Sequence, residues 1–239
     1  MKQSGWREAL LNLLFPRPLH CLLCRQNFTH TTEEAVCALC LAQVQASAPP
    51  LCRSCGKHSP GRSVCYDCRR REESFFLKAC SYGPYHGRLR ELILALKKDR
   101  RTEVLPILTG YLADVWAGQL ADRDIALLVP VPISEEKRRE RGFNQAGLLA
   151  RELGRAVRVD VCEALKWLGK RRAQIARDRQ QRLEGMEGEL GLTEFSMEVA
   201  GKVVCLLDDV YTTGATANAC AKKLHEAGAR AVYVLTVAR

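Results

Sequence analysis

Apolar positions along the chain fall into two regimes that meet near residue 72. Beyond that point they recur with the periods of regular structure. In "HGRLRELILALKK" Leu89, Leu92, Ile93 and Leu96 share one face at helical spacing. "RTEVLPILTGYLADVWAGQL" predicts a second helix, with Pro106 early enough to be tolerated in its first turns. "IALLVPVP", "KVVCLL" and "AVYVLTVA" are almost wholly apolar, the pattern of parallel strands buried on both faces. "SFFLKACSY" and "VCEALKWL" also read as strands. "NQAGLLARELGRAV" and "TANACAKKLHEAG" read as helices, the last closed by Gly228. The charged stretch after "LLVPVP" reads as a loop. This alternation predicts an α/β domain over 73–239, a parallel sheet flanked by helices with right-handed crossovers.

Residues 20–70 lack long apolar runs and carry the breakers "SAPP" and "HSPG". In their place stand four Cys-x-x-Cys pairs: Cys21/Cys24, Cys37/Cys40, Cys52/Cys55 and Cys65/Cys68. A two-residue spacer lets both thiolates of one turn reach a tetrahedral Zn²⁺ at ~2.3 Å. Spacers of 12 and 9 residues between consecutive pairs return the chain to a shared metal, so two zinc ions are expected. Sequential pairing is the simplest assignment; an interleaved one fits the same spacings. Sites made only of cysteine are closed to substrate, which makes their default role structural. Arg53, Lys57, Arg62, Arg69, Arg70 and Arg71 leave open a contact with nucleic acid or a partner protein. Cys80, Cys162, Cys205 and Cys220 have no partner in sequence and read as packed thiols, and Phe75, Phe76 and Tyr85 as packing rather than recognition.

The cysteines also bear on compartment. Of 12, eight lie in these pairs, and the N-terminal "MKQSGWREALLNLLFPRPLHC" is not a convincing secretory signal: its apolar part is only about six residues long, the segment contains Glu8, and no small-residue cleavage site follows. It reads as an amphipathic helix docked on the body, with a membrane-surface anchor as the alternative. No run approaches the ~20 apolar residues of a membrane span, so no stable insertion is expected. A reducing compartment, the cytoplasm, and metal binding follow. The net charge of +10 favours anionic partners without saying which.

The sharpest chemistry lies in "VVCLLDDVYTTGAT", residues 203–216. Ligands of open parallel sheets bind where strands lead into helix N-termini. Here the strand ends on Asp208 and Asp209, and the following turn supplies backbone N–H groups, the hydroxyls of Thr212, Thr213 and Thr216, and Gly214 for close approach. A helix starting near Thr216 adds the positive end of its dipole, completing a phosphate cradle. Carboxylates beside such a cradle suit the vicinal hydroxyls of a ribose, so the stretch fits a ribose 5-phosphate held at two ends.

These residues resemble the signature of type I phosphoribosyltransferases, which bind phosphoribosyl pyrophosphate (PRPP). "YHGRLRELILALK", "VPVPISEEKRRERGFNQAGLLARELG" and the cysteine pairs extend the resemblance over nearly the whole chain, to the ComF family of competence-related, phosphoribosyltransferase-like proteins. The resemblance implies a type I phosphoribosyltransferase-like sheet behind a small zinc-binding module spanning 1–72. It also implies loss of pyrophosphate from C1 of PRPP, with Mg²⁺. Asp208 and Asp209 would hold the ribose hydroxyls, and Thr212, Thr213, Gly214, Ala215 and Thr216 the 5-phosphate. Arg138, Arg139 and Arg141 would act as cations on pyrophosphate, with Gly142 at the turn. The charged segment 169–188 departs from the family pattern: Gln174 and Arg182 are kept, but Gly185 replaces the usual Asn and Leu190 an aromatic.

Two functions of different class are therefore expected. One is an enzyme transferring a phosphoribosyl group to an acceptor that no segment identifies. The other is an accessory protein of DNA uptake that binds single-stranded DNA and works with DNA-uptake or recombination proteins. Aromatic platforms for stacked bases are sparse at 6% aromatic content, which weighs against a dedicated single-strand binder.

Overall fold

In the computed structural model the described residues are 20–28, 35–71, 73–169 and 189–239. The expected N-terminal helix and the 170–188 part of the arginine-rich segment, with Gln174, Arg182 and Gly185, lie outside them. Among the described residues no helix is long and apolar enough to cross a membrane.

The cysteine-rich part consists of two copies of one device. In each copy the first Cys-x-x-Cys turn is closed by an amide bonding back across it, Cys21 N–H to the Gln26 carbonyl at 2.8 Å and Cys52 N–H to the Lys57 carbonyl at 2.7 Å. The residue after that turn takes positive φ, 64° at Arg25 and 68° at Gly56. The second pair sits on a single helical turn, α1 (Ala38–Leu41) or α2 (Tyr66–Arg69), capped by Cys37 or Cys65. Little apolar core is needed, because the cysteines themselves are the buried cluster.

The rest is one parallel sheet. Its elements in chain order begin with β1 (Lys78–Gly83), α3 (Gly87–Lys97), α4 (Leu105–Gln119) and β2 (Ile125–Pro130). They continue with α5 (Glu135–Arg141), α6 (Gln145–Val157), β3 (Asp160–Val161), β4 (Leu165–Trp167) and β5 (Leu190–Leu192). The last three are β6 (Val203–Val210), α7 (Ala215–Glu226) and β7 (Ala231–Ala238). The five-stranded order is β1-β7-β6-β2-β3, all parallel. The most apolar runs are central, with Val204, Leu206, Val232, Val234 and Leu128 fully buried, as a sheet covered on both faces requires.

Four expectations need correction. Strand β6 runs on to Val210, past the expected "KVVCLL", so Asp208 and Asp209 lie within its last three residues. The stretch after β2 is not a loop but the helix α5: the Ser134 hydroxyl accepts from Lys137 N–H, and Glu135 and Glu136 occupy its first turn. Arg138, Arg139 and Arg141 occupy its last turn, and Gly142 ends it at φ 85°. That order of charge complements the helix dipole, but α5 has no apolar face and leaves no trace in hydrophobic periodicity. "VCEALKWL" is two strands: Cys162 gives its amide to the Leu128 carbonyl, then the Glu163 carbonyl accepts from the Thr193 hydroxyl at 2.8 Å and the chain turns away. Leu165–Trp167 then pairs antiparallel with Leu190–Leu192 outside the main sheet. In "SFFLKACSY" pairing begins only at Leu77, because Phe75 N–H is taken by Asn218 of α7.

Helix α6 lies so close to the sheet that a Cβ on Gly154 would stand 2.6 Å from the Val159 carbonyl oxygen and 3.0 Å from a Val161 methyl. Gly118, in α4, has nothing within 4 Å. Gly154→Ala is expected to destabilise by about 1–3 kcal/mol through overpacking, whereas Gly118→Ala should stabilise by up to ~1 kcal/mol through helix propensity. Urea midpoints of the two variants, measured at equal m-value, check the contrast.

Candidate functional site at the carboxyl edge of the sheet

The connection after β6 turns toward β7 through α7, and the connection after β2 turns the opposite way toward β3 through α6. β2 and β6 are neighbours in register, Pro130 beside Leu207. A crevice therefore opens between their carboxyl ends, the topological switch point at which open α/β sheets bind ligands. Residues 131–145 and 208–216 both emerge there, so topology brings the two sets of sequence-predicted residues to one edge.

Adjacent residues of a strand point to opposite faces, and the two acids divide accordingly. Asp208 lies on the α7 side, where its charge adds to the burial that pushes the Cys220 thiol up. It accepts a hydrogen bond from the Asp209 amide at 2.8 Å. Asp209, only 7% exposed, meets α3, where its Oδ2 lies 2.7 Å from Lys97 Nζ. Burial, and then the neighbouring Asp209, hold the Asp208 carboxyl well above the usual aspartate range, against the opposing pull of the Asp209 amide and Lys97. Lys97 is a site residue that periodicity could not supply. It is the last residue of an amphipathic helix, and in sequence it reads as one more cation in "KKDRR".

Beyond β6 the chain makes a short turn whose last residue, Gly214, caps α7 at φ 79°. Thr212 and Thr213 are exposed, and Ala215 and Thr216 partly so, which leaves the helix mouth open. The Thr213 hydroxyl accepts from the Ala215 amide at 3.3 Å, so this side chain shapes the turn. Gly214 is required twice over: beyond its positive φ, a Cβ there would lie 2.1 Å from the Tyr211 hydroxyl and 2.7 Å from Arg71 Nη2.

On the other connection, "RGFNQ" is a corner. Gly142 ends α5, and Asn144 caps α6, its Oδ1 accepting from the Ala146 amide at 3.1 Å and its Nδ2 donating to the Val131 carbonyl at 3.0 Å. Arg141 donates to Gln145, itself buried, at 2.9 Å and so belongs partly to the scaffold. Arg138 and Arg139 are exposed. Arg100, from the turn after α3, donates to the Glu140 carbonyl at 2.6 Å and brings a further cation to this corner.

The cysteines form two clusters, Cys21/Cys24/Cys37/Cys40 and Cys52/Cys55/Cys65/Cys68, with all sulfurs of each set within 4.8 Å of one another. Pairing is sequential, and the interleaved arrangement falls away. Sγ–Sγ separations of 3.8 Å (Cys24–Cys37) and 3.6 Å (Cys55–Cys65) match the ~3.8 Å edge of a tetrahedron around zinc. Cys37 and Cys65 amides point at Cys21 and Cys52 sulfurs at 3.4 and 3.2 Å, hydrogen bonds that favour thiolate. Both sets have the ligands and geometry that suit zinc. Cys80, Cys162, Cys205 and Cys220 are buried outside them, as packed thiols.

Fold, edge and ribbons define an α/β protein with a parallel sheet, preceded by two four-cysteine ribbons. Residues 10–69 match the double zinc ribbon domain family. The chain is 27% identical to competence protein ComFC of Bacillus subtilis, over 88% of this chain and 90% of that protein. It is 28% identical to competence protein F of Haemophilus influenzae and 28% to DNA utilization protein YhgH of Escherichia coli, each over 92% of this chain and 96% of the relative. The chain is thus similar over most of its length to competence and DNA utilization proteins of this kind. A looser likeness, TM-score 0.38 at 15% identity, is to an adenine phosphoribosyltransferase of Saccharomyces cerevisiae, over 59% of this chain and 72% of that one.

Two outcomes test this geometry. Because Asp208 binds its proton more tightly in the folded chain than in the unfolded one, its contribution is most favourable below the ordinary aspartate value of ~3.9 and is lost as pH rises toward the folded value. Asp208→Asn should therefore raise Tm at neutral pH, each kcal/mol relieved appearing as about 2–4 °C, with the difference vanishing below about pH 4. Metal analysis should find two zinc per chain, and Cys40→Ser should remove one of them.

Proposed function

We propose that this edge binds PRPP and that the chain transfers its phosphoribosyl group to an acceptor with release of pyrophosphate. What carries the reading is one strand-to-helix connection, 208–216, in which an acid pair and an open helix mouth stand together at the switch point. The helix N-terminus and the amides of 212–216 receive the 5-phosphate, with the exposed Thr212 hydroxyl as an added donor. The carboxyl groups of Asp208 and Asp209 receive the ribose hydroxyls. Lys97 neutralises Asp209, so the anionic ligand does not meet two unbalanced carboxylates. Arg138 and Arg139, exposed on the last turn of α5, face the departing pyrophosphate with Arg141 and Gly142 behind them. Fixed cations at that point stabilise the charge that develops in the transition state.

Among the described residues the only groups of three or more metal-ligating side chains are the two cysteine sets. Mg²⁺ carried in on the diphosphate would neutralise charge on the leaving group. The zinc ribbons keep their thiols in a reducing cytoplasm, where PRPP is also available for use.

A second reading rests on the relatives named for competence and DNA utilization. On it the chain handles single-stranded DNA through its basic surface, and the ribose-phosphate site is regulatory. Calorimetry with PRPP and Mg²⁺ separates the two. The transferase reading expects micromolar to sub-millimolar binding, at least about tenfold weaker in Asp208→Asn/Asp209→Asn, corresponding to ~1.4 kcal/mol. It also expects pyrophosphate release that depends on Arg138 and Arg139. Absence of PRPP binding at millimolar concentration, together with retardation of single strands that weakens steeply with salt, would establish the second reading instead.

A further inference from the structure

The second zinc ribbon and the phosphate loop meet at one side chain. Arg71, three residues after Cys68, sends Nη2 to the Tyr211 hydroxyl at 2.9 Å and to the Thr213 carbonyl at 3.0 Å. Its guanidinium lies 5.1 Å above the Phe76 ring, and Phe76 meets Tyr211 edge-on at 6.2 Å. Arg239 stands 5.0 Å over the Tyr211 ring and donates to the carbonyl of Cys55. Tyr211, 4% exposed at the root of the loop, is thus held by two arginines, one downstream of the second cysteine set and one bonded to a member of it. The same segment grips the first turns of α7: Asn218 Oδ1 accepts from the Phe75 amide at 2.9 Å and Nδ2 donates to the Glu73 carbonyl at 3.3 Å. Gly214 leaves the space that this guanidinium fills.

The first ribbon is placed differently. Its bonds to the body run to the far part of β1 and to α3, Ser47 N–H to the Tyr82 carbonyl at 2.7 Å and Arg88 to Gln43 at 3.1 Å. Among the described residues none of its side chains bonds to 208–216. The two zinc sites are alike in ligands and unlike in what they hold.

We propose that Arg71 is a positioning residue that couples zinc in the Cys52/Cys55/Cys65/Cys68 site to the shape of the 211–216 loop, so that zinc and a ribose-phosphate ligand strengthen each other's binding. A closed metal site fixes the backbone from which Arg71 springs. Nη2 then gives one hydrogen to a hydroxyl and one to a carbonyl, in a plane fixed by stacking on Phe76 that a lysine's flexible stem does not reproduce. Losing the metal frees the base of that arm and withdraws both bonds from the loop. Coupling of this kind is reciprocal and commonly amounts to about 5–150-fold in affinity. The ligand half of the proposal rests on the ribose-phosphate reading above; the loop half does not.

The test uses the full-length, zinc-loaded chain. Amide hydrogen exchange over 211–216 is compared in wild type, Arg71→Gln, Arg71→Lys, Cys68→Ser and Cys40→Ser. Exchange should quicken about 5-fold or more in Arg71→Gln and Cys68→Ser, remain unchanged in Cys40→Ser, and be only partly restored by Arg71→Lys. Cys68→Ser/Arg71→Gln should be no faster than either single variant, since coupled changes are not additive. Ribose 5-phosphate affinity should fall by a similar factor in the same variants, and in wild type this ligand should slow chelator removal of one of the two zinc ions. Unchanged exchange in Arg71→Gln overturns the proposal, as does an equal effect from Cys40→Ser or an additive double variant. Should Cys68→Ser fail to fold, Arg71→Gln decides, because it leaves both cysteine sets intact. Failure of ribose 5-phosphate to bind any form defeats the ligand reading, while the exchange data still decide the coupling.

Discussion

Parallel pairing of β6 with both β2 and β7 is the constraint on which the molecule depends. It forces the chain to leave β6 and β2 at the same edge and in opposite directions, which creates the crevice. It also buries the middle of β6 on both faces, so its polar residues are confined to the last turn of the pleat. Asp208 and Asp209 stand there at a cost to the fold, one crowded by burial and the other compensated by Lys97.

The two ribbons solve a different problem. A segment of about fifty residues with few large apolar side chains cannot bury enough surface to order itself. Thiolate–zinc bonds take the place of a core, and binding free energies of ~10–16 kcal/mol for structural zinc are ample for the purpose. Because the second ribbon is anchored through Ser54, Cys55 and Arg71 to β1, the C-terminus and the 211–216 loop, that local order is passed to the rest of the chain.

Much of this was legible in the sequence. Buried strands announced themselves as apolar runs, and the cysteine spacings predicted both metal clusters. The acid pair and threonine–glycine turn stood out because their chemistry is concentrated in consecutive residues. What escaped notice has a common cause. Helix α5 is built from charge order and caps, without an apolar face. Lys97 acts on Asp209, and Arg71 on Tyr211 and Thr213, across separations of more than a hundred residues that periodicity does not register. Both reside in runs of basic residues, where nothing in the sequence sets one cation apart from its neighbours. The repeat within the cysteine module was hidden because only the ligands and a few hydrogen-bonding positions are common to the two copies.

One of those positions has a wider consequence. At the corner after the first cysteine pair the copies differ, Arg25 in one and Gly56 in the other. The glycine lets its ribbon press against the outermost strand, a Cβ there lying 3.3 Å from the Ala79 carbonyl oxygen, while the Ala79 amide is taken by Ser54 at 2.8 Å. Residue 47 takes the Tyr82 carbonyl further along. The ribbons thereby occupy backbone groups that would otherwise recruit a strand from another chain. With both ribbons in place, the β1 side of the sheet does not present a bare edge at Ala79 and Tyr82.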